Sequence, residues 1–268
     1  MNRVYCCYPG GKFKALTMSY DDGQQHDRRL VEIFNRHGIR GTFHLNSGLL
    51  GDADPRRIRP EEVAALYQGH EVACHTVTHP TSGRCPLPEV MQEVLNDRIA
   101  LEKLTGYPVR GLSYPNGSVT KEIADMLPMA GIRYSRVVGD SDGFSLPEDP
   151  YRWMATCHHN HRLLELGKQF NALYKRQYLY LMYVWGHSYE FHNDDNWQLM
   201  EDFCALVGGR DDVWYCTNIQ LMDCLDAYHR LQFAADNSFV YNPNACECWI
   251  SVNDGEPFAV PAGATVRL

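Results

Sequence analysis

The chain has 268 residues, of which 44% are hydrophobic and 22% charged, and its formal net charge is -8. This composition is ordinary for a globular protein, and alternating strands and helices often reach this length as one domain. The acidic balance and the lack of a Lys/Arg-rich run argue against a nucleic-acid partner. No apolar run approaches the roughly 18–20 residues of a membrane helix. We therefore expect neither nucleic acid nor a membrane as a partner.

The cellular compartment is predicted from the first residues and the cysteines. Residues 1–11 contain no apolar stretch of the kind that a secretory signal needs. The ten cysteines lack the tight, regular spacing of a small disulfide scaffold, which favours a reduced compartment. We expect a cytoplasmic protein, with secretion as the alternative if a signal has been removed.

Short apolar runs rich in β-forming residues alternate with helical periodicity, which predicts βα units around a parallel sheet or barrel. The predicted strands, in chain order, are Ala15–Tyr20, Gly41–Leu45, Glu71–Cys74, Gly111–Tyr114, Ile132–Val138, Tyr178–Trp185 and Val213–Cys216. Apolar residues repeating at three and four predict a helix over His26–His37. Pro60 and Pro88 indicate two further helix starts, and Gly106 indicates where the second of these helices ends.

Two parts of the chain depart from this alternation. Asp140–His161 is rich in Pro, Asp and His, and it is predicted to be a long irregular loop of the kind that often carries function. After about Leu231, short apolar runs alternate with Asn-Pro, Asn-Asp-Gly and Pro-Ala-Gly turn signals. We predict a catalytic domain over 1–232 and a small β appendage over 233–268 that packs on it.

An acidic pair lies at the end of the first predicted strand, where Asp21 and Asp22 precede Gly23. Adjacent carboxylates at a strand end point in different directions into the same mouth. One can bind a cation while the other takes a proton from water. An ordinary Asp-Asp-Gly turn is the alternative interpretation.

A histidine pair follows the third predicted strand, where His75 and His79 are four residues apart. Imidazoles at this spacing suit Zn²⁺ or a similar divalent ion. Two His and one carboxylate would leave coordination positions open for water and substrate, as a catalytic site requires. Further along, His187 at the end of the sixth predicted strand could donate a proton to a leaving group, or could be a core-edge histidine.

Other residues are candidates for substrate contact. Trp153 and Trp185 could offer stacking faces for sugar rings, although packing is the commoner role of such residues. His158 and His159 lie in the unusual run Thr156-Cys157-His158-His159-Asn160-His161. They could shape a substrate subsite or cap a loop, and we do not expect a second metal there.

Together, four motifs resemble the polysaccharide deacetylase family, also called the NodB-homology or carbohydrate esterase 4 family. The motifs are Tyr20-Asp21-Asp22-Gly23, His75-x-x-x-His79-Pro80, Tyr114-Pro115-Asn116-Gly117 and Trp185-Gly186-His187. They occur in the family order, and the resemblance spans about Ala15 to Tyr228. It implies an α/β fold, a distorted (β/α)7 barrel.

The resemblance also implies roles for individual residues. Asp21 would be the general base, Asp22, His75 and His79 the metal ligands, and His187 the general acid. A water on the metal would be the nucleophile. Tyr114, Pro115 and Asn116 would line the substrate groove, with the backbone N–H of Asn116 helping to hold the oxyanion.

Two departures from the family pattern affect these roles. The family usually has an Arg that braces the base at the position of Ser113, so the orientation of Asp21 is open. The Asp that supports the acid histidine is not placed by any clean motif. Asp140, Asp142 and Asp149 are the candidates for it.

The function predicted from this resemblance is a divalent-metal hydrolase that removes N- or O-acetyl groups from a glycan or sugar conjugate. The cofactor would be one metal ion, Zn²⁺ in the first place, with Co²⁺ and Ni²⁺ as alternatives. One rival hypothesis is hydrolysis of a non-sugar amide, a cyclic imide or ureide, on the same fold. The other is a carbohydrate-binding relative with an inactive site. The sugar, the linkage and the oligomeric state are not fixed by the sequence.

Overall fold

A computed structural model describes residues 2–51 and 55–268. The strands, in chain order, are β1 (Val4–Cys7), β2 (Lys14–Asp21), β3 (Gly41–Leu45), β4 (Glu71–Cys74), β5 (Gly111–Ser113), β6 (Tyr134–Asp140), β7 (Trp153–Ala155), β8 (Cys157–His158), β9 (Tyr180–Gly186), β10 (Val213–Tyr215), β11 (Gln232–Phe233), β12 (Phe239–Tyr241), β13 (Cys248–Val252), β14 (Phe258–Val260) and β15 (Thr265–Arg267). The α-helices are α1 (Asp27–Arg36), α2 (Val63–Leu66), α3 (Leu87–Thr105), α4 (Lys121–Met126), α5 (Leu163–Asn171), α6 (Ser188–Asn193), α7 (Trp197–Val207) and α8 (Asn218–Arg230).

The central sheet is parallel and runs in the spatial order β7, β6, β5, β4, β3, β2, β9, β8. The chain passes from β7 to β8 through Thr156 alone, so one extended segment pairs first with β6 and then with β9. The N–H of Thr156 donates to the carbonyl of Tyr183 on β9 at 2.8 Å. The segment thus brings the two edges of the sheet together, although β7 and β8 do not pair with each other. The predicted α/β class is confirmed. The strands are arranged as in a distorted barrel, but strand pairing does not close it.

The seven predicted strands all occur, with ends shifted by two residues or fewer. One prediction about the sheet is corrected, and one predicted strand takes a place that the sequence did not indicate. The segment 153–158 is not irregular, because β7 and β8 form there; three residues of alternation are too few to stand out beside Pro, Asp and His. The seventh predicted strand, β10, is not the ring strand between β9 and β2. It pairs with Lys14–Leu16, on the edge of β2 whose later residues pair with β3.

Strand β2 separates two layers because successive side chains of a strand point to opposite faces. Leu16, Met18 and Tyr20 belong to the apolar layer between the sheet and the surrounding helices. Thr17, Ser19 and Asp21 are the alternate residues and lie on the other face, which is the barrel interior. All eight residues of β2 are buried. These three side chains are polar and lie along the barrel interior, and Asp21 is the last of them on β2.

The last part of the chain forms two small antiparallel sheets, β1–β13–β14 and β11–β12–β15. The first of these sheets includes β1, which comes from the other end of the chain. The sequence did not predict this pairing. Ala227 and Leu231, at the end of α8, share an apolar cluster with Val240 and Ile250 of these sheets. The predicted boundary between 232 and 233 stays a prediction. Across the described residues, no helix has the length and apolarity that crossing a bilayer would require.

Candidate active site

The candidate residues gather at one end of the sheet because the carboxyl ends of parallel strands meet at the same edge. Asp21 is the last residue of β2, and Asp22 follows it directly. His75 follows β4, and His187 follows β9. The fold therefore brings to one mouth the carboxylates and imidazoles that the sequence placed far apart.

Asp22, His75 and His79 form a compact group of metal-ligand type. The Nε2 atoms of both histidines lie 3.8 Å from Oδ1 of Asp22. His75 Nδ1 lies 2.8 Å from the carbonyl oxygen of Ser113, so that Nδ1–H donates and the Nε2 lone pair faces Asp22. Burial lowers the pKa of His75 to about 4, which keeps it in the neutral form that binds metals. These residues fit a divalent ion.

The backbone at this mouth holds several non-glycine residues in the left-handed region. Asp22 has φ 84°, Thr76 64°, His79 61° and Asn116 56°. Such conformations cost of order 1–3 kcal/mol each and persist where the surrounding structure imposes them, commonly at functional sites. Two of these four residues, Asp22 and His79, belong to the metal-ligand group, so the strained backbone lies at two of the candidate ligands.

Asp21 lies under this group, 3% exposed, and is held by ionic and polar neighbours. Burial alone would raise its pKa, but the guanidinium of Arg136, with which it forms a short ion pair, and nearby His75 and His44 hold the pKa of Asp21 well below its usual range. The Ser113 hydroxyl donates to Asp21 Oδ1 at 3.1 Å. His44 Nδ1 lies 3.3 Å from the same oxygen. Asp21 is therefore a carboxylate in a fixed orientation.

Arg136 resolves the difficulty raised by Ser113. The family Arg is missing from β5, but Ser113 is the register partner of Arg136 on the adjacent strand β6. The positive charge is supplied one strand further along, while the smaller Ser113 adds a hydrogen bond to the same carboxylate. The orientation of Asp21, which the sequence left open, is therefore fixed by Arg136 and Ser113.

Sequence reasoning missed both Arg136 and His44. Each lies on a strand that was correctly predicted, and each is buried, with 1% and 0% of its surface exposed. An ionisable side chain in the middle of a buried strand almost always has a partner, so its presence there was the available signal. The identity of that partner depends on strand order, which the sequence pattern does not give.

The structure places His187 beside Glu190, three residues later in the chain. His187 Nδ1 lies 3.4 Å from Glu190 Oε2. Burial would lower the pKa of His187, but Glu190, with the more distant Asp21 and Asp22, raises it above the usual value. The raised pKa favours the protonated imidazole, and Nε2, the ring nitrogen that does not face Glu190, is the candidate proton donor.

None of the carboxylates proposed as the partner of His187 takes that position. Asp140 accepts the backbone N–H of His158. Asp142 pairs with His161 and Arg162 at 2.9 and 2.6 Å. Asp149 caps a short turn by accepting the N–H of Tyr151 at 2.8 Å. All three candidates lie on the long loop, whereas the carboxylate beside His187 is that of Glu190, in the first turn of α6.

The predicted groove residues have different environments. Asn116 is exposed, and its side-chain amide donates to the hydroxyl of Thr81 at 3.1 Å. Tyr114 is 2% exposed and donates to the carbonyl of Tyr151, and Pro115 is buried as well. The side chain of Tyr114 thus packs below the groove rather than lining it. This corrects its predicted role as a substrate contact, which remains open only for Asn116 and the backbone around it.

The prediction that Trp153 stacks on a sugar is wrong, because its ring is 1% exposed and packs between Tyr134 and Tyr183 in the barrel interior. Trp185 is 7% exposed. Its ring lies 4.4 Å from the guanidinium carbon of Arg136, and so it covers the ion pair of Asp21 rather than presenting an open face. Trp153 was considered for sugar contact because β7 was not predicted as a strand, whereas Trp185 lies near the end of β9, which was predicted.

His158 and His159 lie beside Glu190, as His187 does. Their Nε2 atoms are 3.1 and 3.3 Å from Glu190 Oε2. His159 is fully buried, stacked on Phe191 with ring centroids 4.0 Å apart. Neither ring lines an open subsite, and their predicted contact with substrate stays a prediction.

Residues 9–135 match the family model described as polysaccharide deacetylase. This part of the chain is similar to the polysaccharide deacetylase family, which confirms the resemblance predicted from the motifs.

Individual relatives are distant. Peptidoglycan-N-acetylglucosamine deacetylase PgdA from Listeria monocytogenes is 26% identical over 125 residues, which are 46% of this chain and 26% of that protein. A candidate polysaccharide deacetylase from Mycobacterium smegmatis has a solved structure with a TM-score of 0.63 and 17% identity, covering 85% of this chain and 96% of that one. A family 4 acetyl xylan esterase from Clostridium thermocellum, solved with a cobalt ion, has a TM-score of 0.55 and 10% identity over 78% and 91%. The two structures establish similarity of fold alone.

Proposed function

We propose that the chain is a metal-dependent carbohydrate deacetylase. The observation that carries the proposal is the juxtaposition of the ion-paired carboxylate of Asp21 with the ligand group Asp22, His75 and His79. A relative named as a peptidoglycan-N-acetylglucosamine deacetylase and a fold neighbour named as an acetyl xylan esterase both act, by their names, on acetylated carbohydrates. We accordingly propose an N- or O-acetylated glycan or sugar conjugate as the substrate class.

Asp22, His75 and His79 would hold one divalent ion, for which Zn²⁺, Co²⁺ and Ni²⁺ are all chemically suitable. When bound, such an ion supplies Lewis-acid polarisation of the acetyl carbonyl and makes water more acidic. The cobalt ion in the structure of the acetyl xylan esterase supports this cofactor class.

The chain's own residues would then move two protons. Asp21 takes one from the attacking water, which it can do because its low pKa keeps it ionised at working pH. His187, whose pKa is raised, gives one to the departing amine or hydroxyl. The backbone N–H of Asn116, at the open edge of the mouth, is the candidate donor to the carbonyl oxygen as it gains charge.

Neither rival hypothesis is favoured. The missing Arg at Ser113 added slightly to the case for a non-sugar amide as substrate, and Arg136 removes that support. An inactive binding relative would be expected to have lost ligands or proton-transfer groups. The proposed ligands and both proton-transfer residues are present and mutually close.

The first test is acetate release. We expect Zn²⁺-loaded protein to release acetate from at least one member of a panel of N- and O-acetylated oligosaccharides, because the mouth contains a base, an acid and a metal-ligand group. Release should stop on chelation and return on addition of Zn²⁺. Turnover that persists in the metal-free protein would contradict the metal dependence. Hydrolysis of cyclic amides with no acetate from any sugar would favour the rival substrate class.

A second prediction concerns the pH dependence of turnover. The rate should fall as pH rises through the raised pKa of His187, because the acid then loses its proton. Glu190→Gln removes a charge that raises this pKa, so the falling limb should move to lower pH. The measurement is kcat/KM against pH for both proteins. Glu165→Gln, at an exposed glutamate paired with Arg162, is the matched control and should leave the limb in place. An unmoved limb in Glu190→Gln would remove His187 from the role of acid.

A further inference from the structure

We propose that His158, His159 and Glu190 form a second site for a divalent transition-metal ion, separate from the group around Asp22. The proposal rests on the convergence of two imidazoles and one carboxylate whose candidate ligand atoms all lie within 4.8 Å of one another. Nitrogen and oxygen donors in this combination suit Zn²⁺, Co²⁺ or Ni²⁺ rather than Ca²⁺ or Mg²⁺.

The spacing of the donors matches that of ligands around a common ion. The two Nε2 atoms lie 3.1 and 3.3 Å from Glu190 Oε2. Ligands at about 2.0–2.1 Å from a tetrahedral Zn²⁺ are separated from each other by about 3.4 Å, as the tetrahedral angle requires. The group therefore needs little rearrangement to bind an ion, which is the main requirement of a formed site.

His159 provides an independent observation. It is fully buried, and neither of its ring nitrogens has a hydrogen-bond partner in the described parts of the chain. A buried polar atom without a partner costs about 1–3 kcal/mol. Its Nε2 lies close to Glu190 yet is not aligned for a hydrogen bond, and an ion between the two would give Nε2 a partner.

The elements around the site hold it in place and add negative charge. His158 is the last residue of β8 and His159 follows it, while Glu190 lies in the first turn of α6. Asp140 accepts the backbone N–H of His158, so a further carboxylate lies beside the group. Gly186 lets the His159 ring pack against the backbone of β9, because a Cβ there would come within 2.0 Å of Nδ1.

One contact opposes metal binding and makes the site the weaker of the two. His158 Nδ1 accepts the N–H of Asn160 at 3.2 Å, which in neutral histidine leaves the proton on Nε2. Binding through Nε2 requires that proton to move to Nδ1 and this long hydrogen bond to be lost. Occupancy would also neutralise Glu190, the carboxylate beside His187, and so weaken the proton donor; this consequence rests on the proposed function.

The test is the Zn²⁺ content at equilibrium, measured by elemental analysis after dialysis against saturating free Zn²⁺. Two candidate groups predict two ions per wild-type chain. His158→Gln and Glu190→Gln should each lose one ion, whereas His161→Gln, a nearby histidine paired with Asp142, should keep both. Glu190→Gln is nearly isosteric, and a melting curve identifies any variant that has failed to fold.

The variant Asp22→Asn/His79→Ala separates this proposal from the proposed function. It should retain one ion, and that ion should be lost when Glu190→Gln is added. A variant that binds no Zn²⁺, or a wild type whose Zn²⁺ content is unchanged by His158→Gln and Glu190→Gln, would overturn the second site. A wild type with one ion that depends on His158 and not on His79 would support it and contradict the first site instead.

Discussion

Asp21→Asn should lower kcat/KM by roughly 10²–10⁴-fold, the range that a positioned general base contributes, while the protein keeps its metal. Asn is nearly isosteric with Asp but cannot take a proton from water. Asp22, His75 and His79 are unchanged, so the ion that they are proposed to hold should remain. The loss should therefore fall on the chemical step and not on metal content.

The same substitution leaves Arg136 without its counter-ion in a buried site. Some loss of stability is therefore expected, and activity must be normalised to folded protein by a melting curve and to metal by elemental analysis. Asp27→Asn is the matched control. Asp27 is also fully buried, but its carboxylate accepts hydrogen bonds from Tyr67 and Ser188, and within the described part of the chain no guanidinium pairs with it. Its substitution should cost much less activity. Turnover within a few-fold of wild type in metal-loaded, folded Asp21→Asn would remove the base from the mechanism.

The sequence predicted the parts of this site that are local in the chain. Asp21 with Asp22, and His75 with His79, are adjacent or four apart, so their proximity follows from strand ends and short loops. The predicted bounds of these strands were also good, since those of β3 and β4 match the structure and β2 is one residue longer at each end.

The parts that the sequence could not predict depend on strand order and side-chain direction. Arg136 is 115 residues from Asp21 in the chain. The two meet because β6, which carries Arg136, lies beside β5 in the sheet, and because both side chains point into the barrel interior. Trp153 was assigned to a loop because β7 has only three residues, too few for a period of two to be recognised. Once β7 is paired with β6, the indole must point into the barrel.

Arg136→Met should destabilise the fold by about 3–5 kcal/mol, the cost of removing one partner from a buried ion pair. Both side chains are almost fully buried, with 1% and 4% of their surfaces exposed. Met replaces much of the volume of Arg, so the loss reflects the unpaired carboxylate of Asp21 more than a cavity. The measurement is the free energy of unfolding from urea denaturation of the metal-free protein.

Removing Arg136 should also change the pH dependence of activity. Burial raises the pKa of Asp21, and Arg136 is the leading influence that lowers it. Without the guanidinium, the base is protonated at higher pH, so the acidic limb of kcat/KM should move upward in pH. Arg136→Lys is the matched control. It keeps a positive charge but loses the planar group that lies 4.4 Å over Trp185, so it should shift the limb less than Met does.

A double-mutant cycle with Asp21→Asn distinguishes the ion pair from simple packing. If the pair is the source of the effect, Arg136→Met should cost clearly less stability in the Asp21→Asn background, because the buried carboxylate is no longer charged. Equal costs in both backgrounds would mean that Arg136 acts through its contact with Trp185. If the acidic limb of Arg136→Met stays in place and its stability is near that of wild type, then Ser113 and His44 suffice to hold the base. A barrel of this kind would then not need the guanidinium.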